Sequence, residues 1–176
     1  ESVGADAQVG DVLAQSVSLR SDETLSLIES EVRSYGDLAL QADHTVHIRD
    51  SIENQFLALS GGDMMIQGNE SVDILALNHL ETTPFQALGN LVLASNGDVS
   101  GDAHFYSNSG FSIQPLEGQP GTFVSLYDPI ISVNGDVEFG EYTGAALKIE
   151  ATGSITATGD ITIKGPDVGL ESEIPG

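Results

Sequence analysis

The sequence predicts an all-β fold: a parallel β-helix, or β-solenoid, in which short strands stack coil upon coil. Three observations predict it. First, a short unit keeps returning: Gly, then Asp or Asn, then an alternating apolar strand. It reads Gly36-Asp37-Leu38-Ala39-Leu40, Gly62-Asp63-Met64-Met65-Ile66, Gly89-Asn90-Leu91-Val92-Leu93, Gly135-Asp136-Val137-Glu138-Phe139 and Gly159-Asp160-Ile161-Thr162-Ile163, with a weaker copy at Gly10-Asp11-Val12. Its first steps are 26 and 27 residues, and the next clear interval is 46, room for two shorter coils. A turn plus a strand at such a period marks a solenoid. Second, the segments between turns are short, apolar at every second position and bounded by Gly, Asn, Asp or Ser. Third, no single unit buries its own apolar face, so the units must stack. Short strands with tight turns also suit a sandwich or a barrel. The near-constant phase of one turn motif favours the solenoid.

Taken in order, residues 1–34 alternate less cleanly and read as amino-terminal coils or a cap. Ser21 to Val32 fits a helix start, with Ser21 as cap and Leu25, Ile28 and Val32 at helical spacing. The β pattern of its neighbours tips the segment to strand. Residues 35–165 form the repeat region. Gly at each corner tolerates a sharp turn and the Asp or Asn bonds the backbone beyond it. Two regions break the rhythm and read as loops: 80–88 with Pro84, and 116–122 with Pro120. Residues 166–176, polar and rich in Gly and Pro, read as a linker or tail. With no initiator Met and an abrupt start at Glu1, the chain reads as a mature or excised piece of something longer.

Charge narrows the function classes. With 27 acidic and 5 basic residues the net charge is −22. Nucleic acid and anionic membrane surfaces need Lys/Arg clusters and are not expected as partners. No apolar run is long enough to insert in a membrane as a helix. The chain has no Cys, which excludes disulfide staples, Cys-ligated zinc and thiol catalysis.

The runs Thr45-Val46-His47-Ile48-Arg49-Asp50-Ser51, Phe56-Leu57-Ala58-Leu59-Ser60-Gly61-Gly62-Asp63 and Val72-Asp73-Ile74-Leu75-Ala76-Leu77-Asn78-His79 are distinctive. With Gly101-Asp102-Ala103-His104-Phe105 and Asp128-Pro129-Ile130-Ile131 downstream, residues 36–165 resemble filamentous haemagglutinin-like exoproteins as found in cyanobacteria. The resemblance implies a right-handed parallel β-helix within a large protein secreted through an outer-membrane partner. It implies adhesion, assembly or scaffolding at the cell surface rather than catalysis. The family's amino-terminal secretion domain is not visible in this sequence.

Candidate sites are sparse. His44, His47, His79 and His104 do not stand at zinc spacing and read as surface or turn residues. No cofactor is expected. Calcium would suit the acidic turns, with Asp98, Asp102 and Glu138 as candidate ligands. The aromatic residues of the second half read first as core filler. The sharper reading sets Phe85, Tyr106, Tyr127 and Tyr142 as a partner- or sugar-facing strip. The sequence thus points to an extracellular structural or adhesive module that touches copies of itself, or its parent chain, by axial stacking. The alternatives are a carbohydrate-binding module using the loops near Pro84 and Pro120, and a polysaccharide hydrolase using a carboxylate pair.

Overall fold

In the computed structural model, which describes residues 2–3, 7–9, 12–79, 81–117 and 122–164, the backbone winds into stacked coils with no helix among those residues. The first coil holds β1 (Ser2–Val3), β2 (Ala7–Val9) and β3 (Val12–Ala14), and the second β4 (Val17–Ser21), β5 (Leu25–Ile28) and β6 (Glu31–Ser34). The third holds β7 (Leu38–Ala42), β8 (Thr45–Arg49) and β9 (Leu57–Ser60), and the fourth β10 (Met64–Gly68), β11 (Ser71–Ala76) and β12 (Phe85–Ala87). In the fifth, β13 (Leu91–Ser95) is followed by one long strand, β14 (Asp98–Ser107), which turns the next corner unbroken. Then come β15 (Phe111–Pro115), β16 (Thr122–Val124) and β17 (Ile130–Val133), followed by β18 (Val137–Phe139), β19 (Glu141–Gly144) and β20 (Lys148–Ala151). β21 (Ile155–Ala157) and β22 (Ile161–Ile163) close the described chain.

Each coil sends one strand to each of three faces. The first sheet runs β1-β4-β7-β10-β13-β15-β18-β21. The second and third are joined because β14 belongs to both: its first half pairs β11 and β16, its second half β12 and β17. Every described pairing is parallel, as a coil that always advances in one direction requires.

Register shows how coil length varies. Along the first sheet Leu38 pairs with Met64 and Met64 with Leu91, steps of 26 and 27 residues. Leu91 then pairs with Phe111 and Phe111 with Val137, steps of 20 and 26. These two coils make up the 46-residue interval. The intermediate corner, Ser109-Gly110-Phe111, lacks the Asp or Asn and so hides from the motif. Extra residues of the long coils leave the sheets between the second and third sheets, as 50–56 in one coil and as 77–79 and 81–84 in the next. They stack on each other: Asn78 donates its backbone N–H to Asp50 Oδ2 (2.7 Å) and its amide to Ser51 O (3.0 Å).

The core is a set of inward columns. Leu19, Leu40, Ile66, Leu93 and Ile113 follow one another in register, all buried. Val32, Ala58, Phe85, Phe105 and Ile131 do the same on the third sheet. Each large apolar side chain so buried contributes roughly 1.5–3 kcal/mol. Phe56, Phe85, Phe105 and Phe111 form an aromatic stack with centroids 5.2, 5.0 and 5.6 Å apart.

The corner between third and first sheets explains the recurring motif. Asp37 Oδ1 accepts the N–H of Asp63, Asp63 Oδ1 that of Asn90, and Asp136 Oδ1 that of Ser154, each at 2.8 Å. Beneath these turns sits a second ladder that the motif does not contain. Buried Ser60 and Ser107 hydroxyls lie 2.8–2.9 Å from the carbonyls of Gly36 and Asp63, and of Gly89 and Gly110. Each hydroxyl ties two successive coils, so the corner leaves no buried side-chain polar atom without a partner among the described residues.

Two expectations change, one holds and four lie outside the described residues. The copy at Gly159-Asp160 is out of phase: it precedes β22, which pairs β19 in the second sheet, whereas the copies at 36, 62, 89 and 135 all precede first-sheet strands. The 80–88 loop ends early, because Phe85-Gln86-Ala87 alternates in, out, in as β12. Pro84 sits just ahead of that strand, where its missing N–H costs no ladder bond while its carbonyl accepts from Ala58 N at 2.7 Å. Residues 21–32 hold the end of β4, all of β5 and the start of β6 with turns between, as the neighbouring pattern suggested, and the described strands of 2–34 continue the same three sheets. Gly10-Asp11, Leu80, the centre of the 116–122 loop with Pro120, and the 166–176 tail lie outside the described residues.

Candidate functional site

The described chain ends on an open coil. β20, β21 and β22 are the last strands of the third, first and second sheets, and each has a partner strand on one side only among the described residues. Their residues continue the inward columns: Ile149 pairs with buried Ile131, Ile155 with buried Val137 and Ile161 with buried Tyr142. Yet Ile155, Ile161 and Ile163 are 52, 52 and 55% exposed, because no described coil lies over them. An alternating strand spaced to fill a solenoid interior thus presents its apolar row at an end. A row of unpaired N–H and C=O groups beside it is a template for another strand.

The opposite end matches it in size. The first coil steps 18 residues from Ser2 to Arg20, 18 from Ala7 to Leu25 and 20 from Val12 to Val32. The last steps 18 from Ile130 to Lys148, 18 from Val137 to Ile155 and 19 from Tyr142 to Ile161. The coils between reach 27. In register, Val3 pairs with Ser21, Ala7 with Leu25, Val9 with Leu27, Val12 with Val32 and Ala14 with Ser34. The two ends therefore share the same small cross-section.

The residues singled out from sequence scatter along the sides. The calcium candidates do not converge. Asp98 is exposed at the start of β14, Glu138 points outward from β18 on another sheet, and Asp102 is 2% exposed. Asp102 is a structural anchor instead. Its carboxylate accepts the Ser125 hydroxyl (2.5 Å) and the backbone N–H groups of Leu126 (3.0 Å) and Tyr127 (2.9 Å). No cluster of three or more metal-ligating side chains occurs among the described residues.

The aromatic strip is not formed either. Phe85 and Tyr142 are fully buried, which removes both as partner-facing residues. Alternation points them inward, and Tyr142 packs on Phe123 at 5.1 Å while its hydroxyl donates to the Ala146 carbonyl. Burial pushes the Tyr142 phenol above its ordinary value. Tyr106, half-buried, points out from the third sheet, its hydroxyl accepting from the Asn134 amide at 3.2 Å. Tyr127 lies in the segment held by Asp102. A polar hollow on the first sheet is lined by Ser112, Gln114, Glu138 and Thr158, among others.

The histidines are surface residues with local partners. His44 stands 2.8 Å from Glu23, and His47 4.0 Å from Asp73, which Arg49 also holds at 2.7 Å. His104 meets His79 edge to face at 5.9 Å and Ser132 Oγ at 3.0 Å. Burial, first of all, lowers both His47 and His104 below the ordinary imidazole value.

Comparison with protein-family models, with curated proteins and with solved structures returns no match to this chain. The class reached from its own residues is a three-sided parallel β-solenoid whose last described coil carries a half-exposed apolar row.

Proposed function

We propose that this chain is an extracellular structural or adhesive module of a secreted surface protein, and that it stacks end to end, with copies of itself or with coils of a parent chain, into a longer rod. The observation that carries this reading is the last coil: three isoleucines in interior columns, half exposed, on a cross-section equal to that of the first coil. The resemblance to filamentous haemagglutinin-like exoproteins supports the surface setting. Mechanically the module is a stiff spacer, because every coil is tied to the next by three parallel ladders.

Negative-stain electron microscopy of the full chain, with calcium and with chelator, tests the reading. Eight first-sheet strands at a spacing of about 4.8 Å make one copy about 35 Å tall. Rods many times that length support stacking, and rods seen only with calcium assign the acidic turns a bridging role. Separate particles at high concentration in both conditions reject stacking.

A second reading, carbohydrate binding, is favoured by the outward face of the third sheet, where Gln86, His104, Tyr106 and Ser132 stand on three successive strands. A glycan array read with the native chain and with Tyr106→Ala tests it. A glycan bound equally by both, or none bound, removes this face.

A further inference from the structure

We infer that Asn96 is a site of spontaneous deamidation, a self-modification in which its side-chain amide becomes a carboxylate, and that the fold shields the same sequence at Asn134 from it. The chain holds one tetrapeptide twice, as Asn96-Gly97-Asp98-Val99 and as Asn134-Gly135-Asp136-Val137, and these contain its only two Asn-Gly pairs. Asn is a thermolabile residue. It is most so before Gly, which has no side chain to hinder the attack of its backbone nitrogen on the Asn Cγ. In that step Gly97 N loses its proton and bonds Cγ, Nδ2 leaves as ammonia, and a five-membered succinimide remains. Water then opens the ring at either carbonyl. The products are Asp and isoaspartate, the latter with its main chain rerouted through Cβ. One water is taken up and one ammonia released.

Tertiary contacts separate two sites that the sequence makes alike. Both stand at corners, Asn96 between β13 and β14 and Asn134 between β17 and β18, and both are exposed. Exposure does not distinguish them; the partners of the amide do. Asn134 Nδ2 donates to Asn108 Oδ1 at 2.9 Å and to the Tyr106 hydroxyl at 3.2 Å. Its Cγ cannot swing to Gly135 N without breaking both bonds. The Asn96 side chain has no hydrogen bond among the described residues. What opposes reaction there is one bond on the nucleophile, from Gly97 N–H to Ser95 Oγ at 3.0 Å. The backbone is also held more closely at the second site: Asn96 N reaches Asn69 O at 3.3 Å, Asn134 N reaches Ser107 O at 3.0 Å. Conversion adds a negative charge to a corner that already carries Glu70 and Asp98, on a chain of net charge −22. Isoaspartate adds a main-chain carbon beside Gly97, where even a Cβ would stand 2.1 Å from Glu70 O, so the corner must part from the neighbouring coil to take it.

Site-by-site mass mapping of the full chain, held in warm, mildly alkaline buffer, tests this, since oxygen replaces NH at each conversion. In the folded chain Asn96 should convert about fivefold faster than Asn134, the scale set by two hydrogen bonds broken against one. In urea that lead should collapse, because only the preceding residue, Ser95 or Val133, then differs. Tyr106→Phe/Asn108→Ala removes both acceptors of the Asn134 amide. It should raise the Asn134 rate by about fivefold or more and leave Asn96 unchanged, with far-UV circular dichroism checking that the β fold is kept. Equal rates in the folded wild type overturn the inference, as does a lead of the same size in urea. A folded variant in which Asn134 stays slow overturns the shielding by Tyr106 and Asn108. The wild-type comparison decides the inference should the variant fail to fold.

Discussion

Asp63 donates its backbone N–H to the carboxylate of Asp37, 26 residues earlier and one coil below, at 2.8 Å. The bond needs the glycine between: a Cβ on Gly62 would stand 2.2 Å from that same Asp37 oxygen. Gly89 stands in the same relation to Asp63, at 2.2 Å. The Gly-Asp pair is therefore a two-coil device, in which the Asp of one coil requires the Gly of the next.

Gly62→Ala should push the Asp37 carboxylate off its donor and cost about 1–2 kcal/mol. In an Asp37→Ala background the same change should cost clearly less, since the oxygen it strikes is gone. A double-mutant cycle from urea denaturation reads the coupling. Simple additivity would show that the two residues act independently.

Asp102 predicts the largest polar loss. Replacing it with Ala leaves two backbone N–H groups without their acceptor and the Ser125 hydroxyl with its longer bond to the Tyr127 carbonyl (3.3 Å), at a cost on the order of 3 kcal/mol. Asp102→Asn keeps one acceptor oxygen and should lose less. Thermal melting compares the two, and a chelator should change neither.

Phe85 and Tyr127 separate core from surface. Phe85→Ala opens the stack between Phe56 and Phe105 and should cost about 3–5 kcal/mol. Tyr127→Ala should stay within about 1 kcal/mol, because what fixes that segment is its backbone bond to Asp102. Equal losses would contradict the burial difference.

Val137 and Ile155 share one column, one coil apart, 1% and 52% exposed. Val137→Asp should unfold the carboxyl-terminal coils, whereas Ile155→Asp should leave the melting temperature within a few degrees and abolish rods. An Ile155→Asp protein that melts as early as Val137→Asp would show that the last coil is covered.

Acid should weaken the fold. His47 and His104 hold their protons less firmly in the folded chain than in the unfolded one, chiefly through burial, with Arg49 and His79 respectively adding to it. Glu150 pulls His104 the other way, and Lys148 reinforces the lowering. Their contribution is full above the unfolded value of about 6.5 and drains as pH falls through it toward the folded values. Asp50, raised by burial, works in the opposite sense: its contribution is present below about 3.9 and is lost as pH rises through its folded value. Stability should therefore drop between pH 7.5 and 5.5, and His104→Gln should flatten that slope. An unchanged slope would exclude His104 as a source.

The coil architecture was legible because it is local. Alternation sets which side chains face inward, and Gly with Asp or Asn marks three-sided corners wherever both halves of the device are present. Legibility failed where one half was missing. Gly110 has no Asp, Glu141–Gly144 offers a single large apolar residue, and Gly159-Asp160 repeats the motif at a different corner. The Ser60 and Ser107 ladder was invisible because its acceptors lie a coil away.

Alone, then, the sequence determined the solenoid, the phase of its core columns and the acidic character that argues against polyanionic partners, since each follows from spacing and composition. Tertiary structure decided which residues face out. Phe85 and Tyr142 went to the interior because their strands alternate with them pointing in, and Asp102 became an anchor because the next coil brings three donors to it. The open end, too, belongs to the tertiary level: Ile155, Ile161 and Ile163 read like any interior strand residues, and only the stacking of the coils shows that nothing described lies above them.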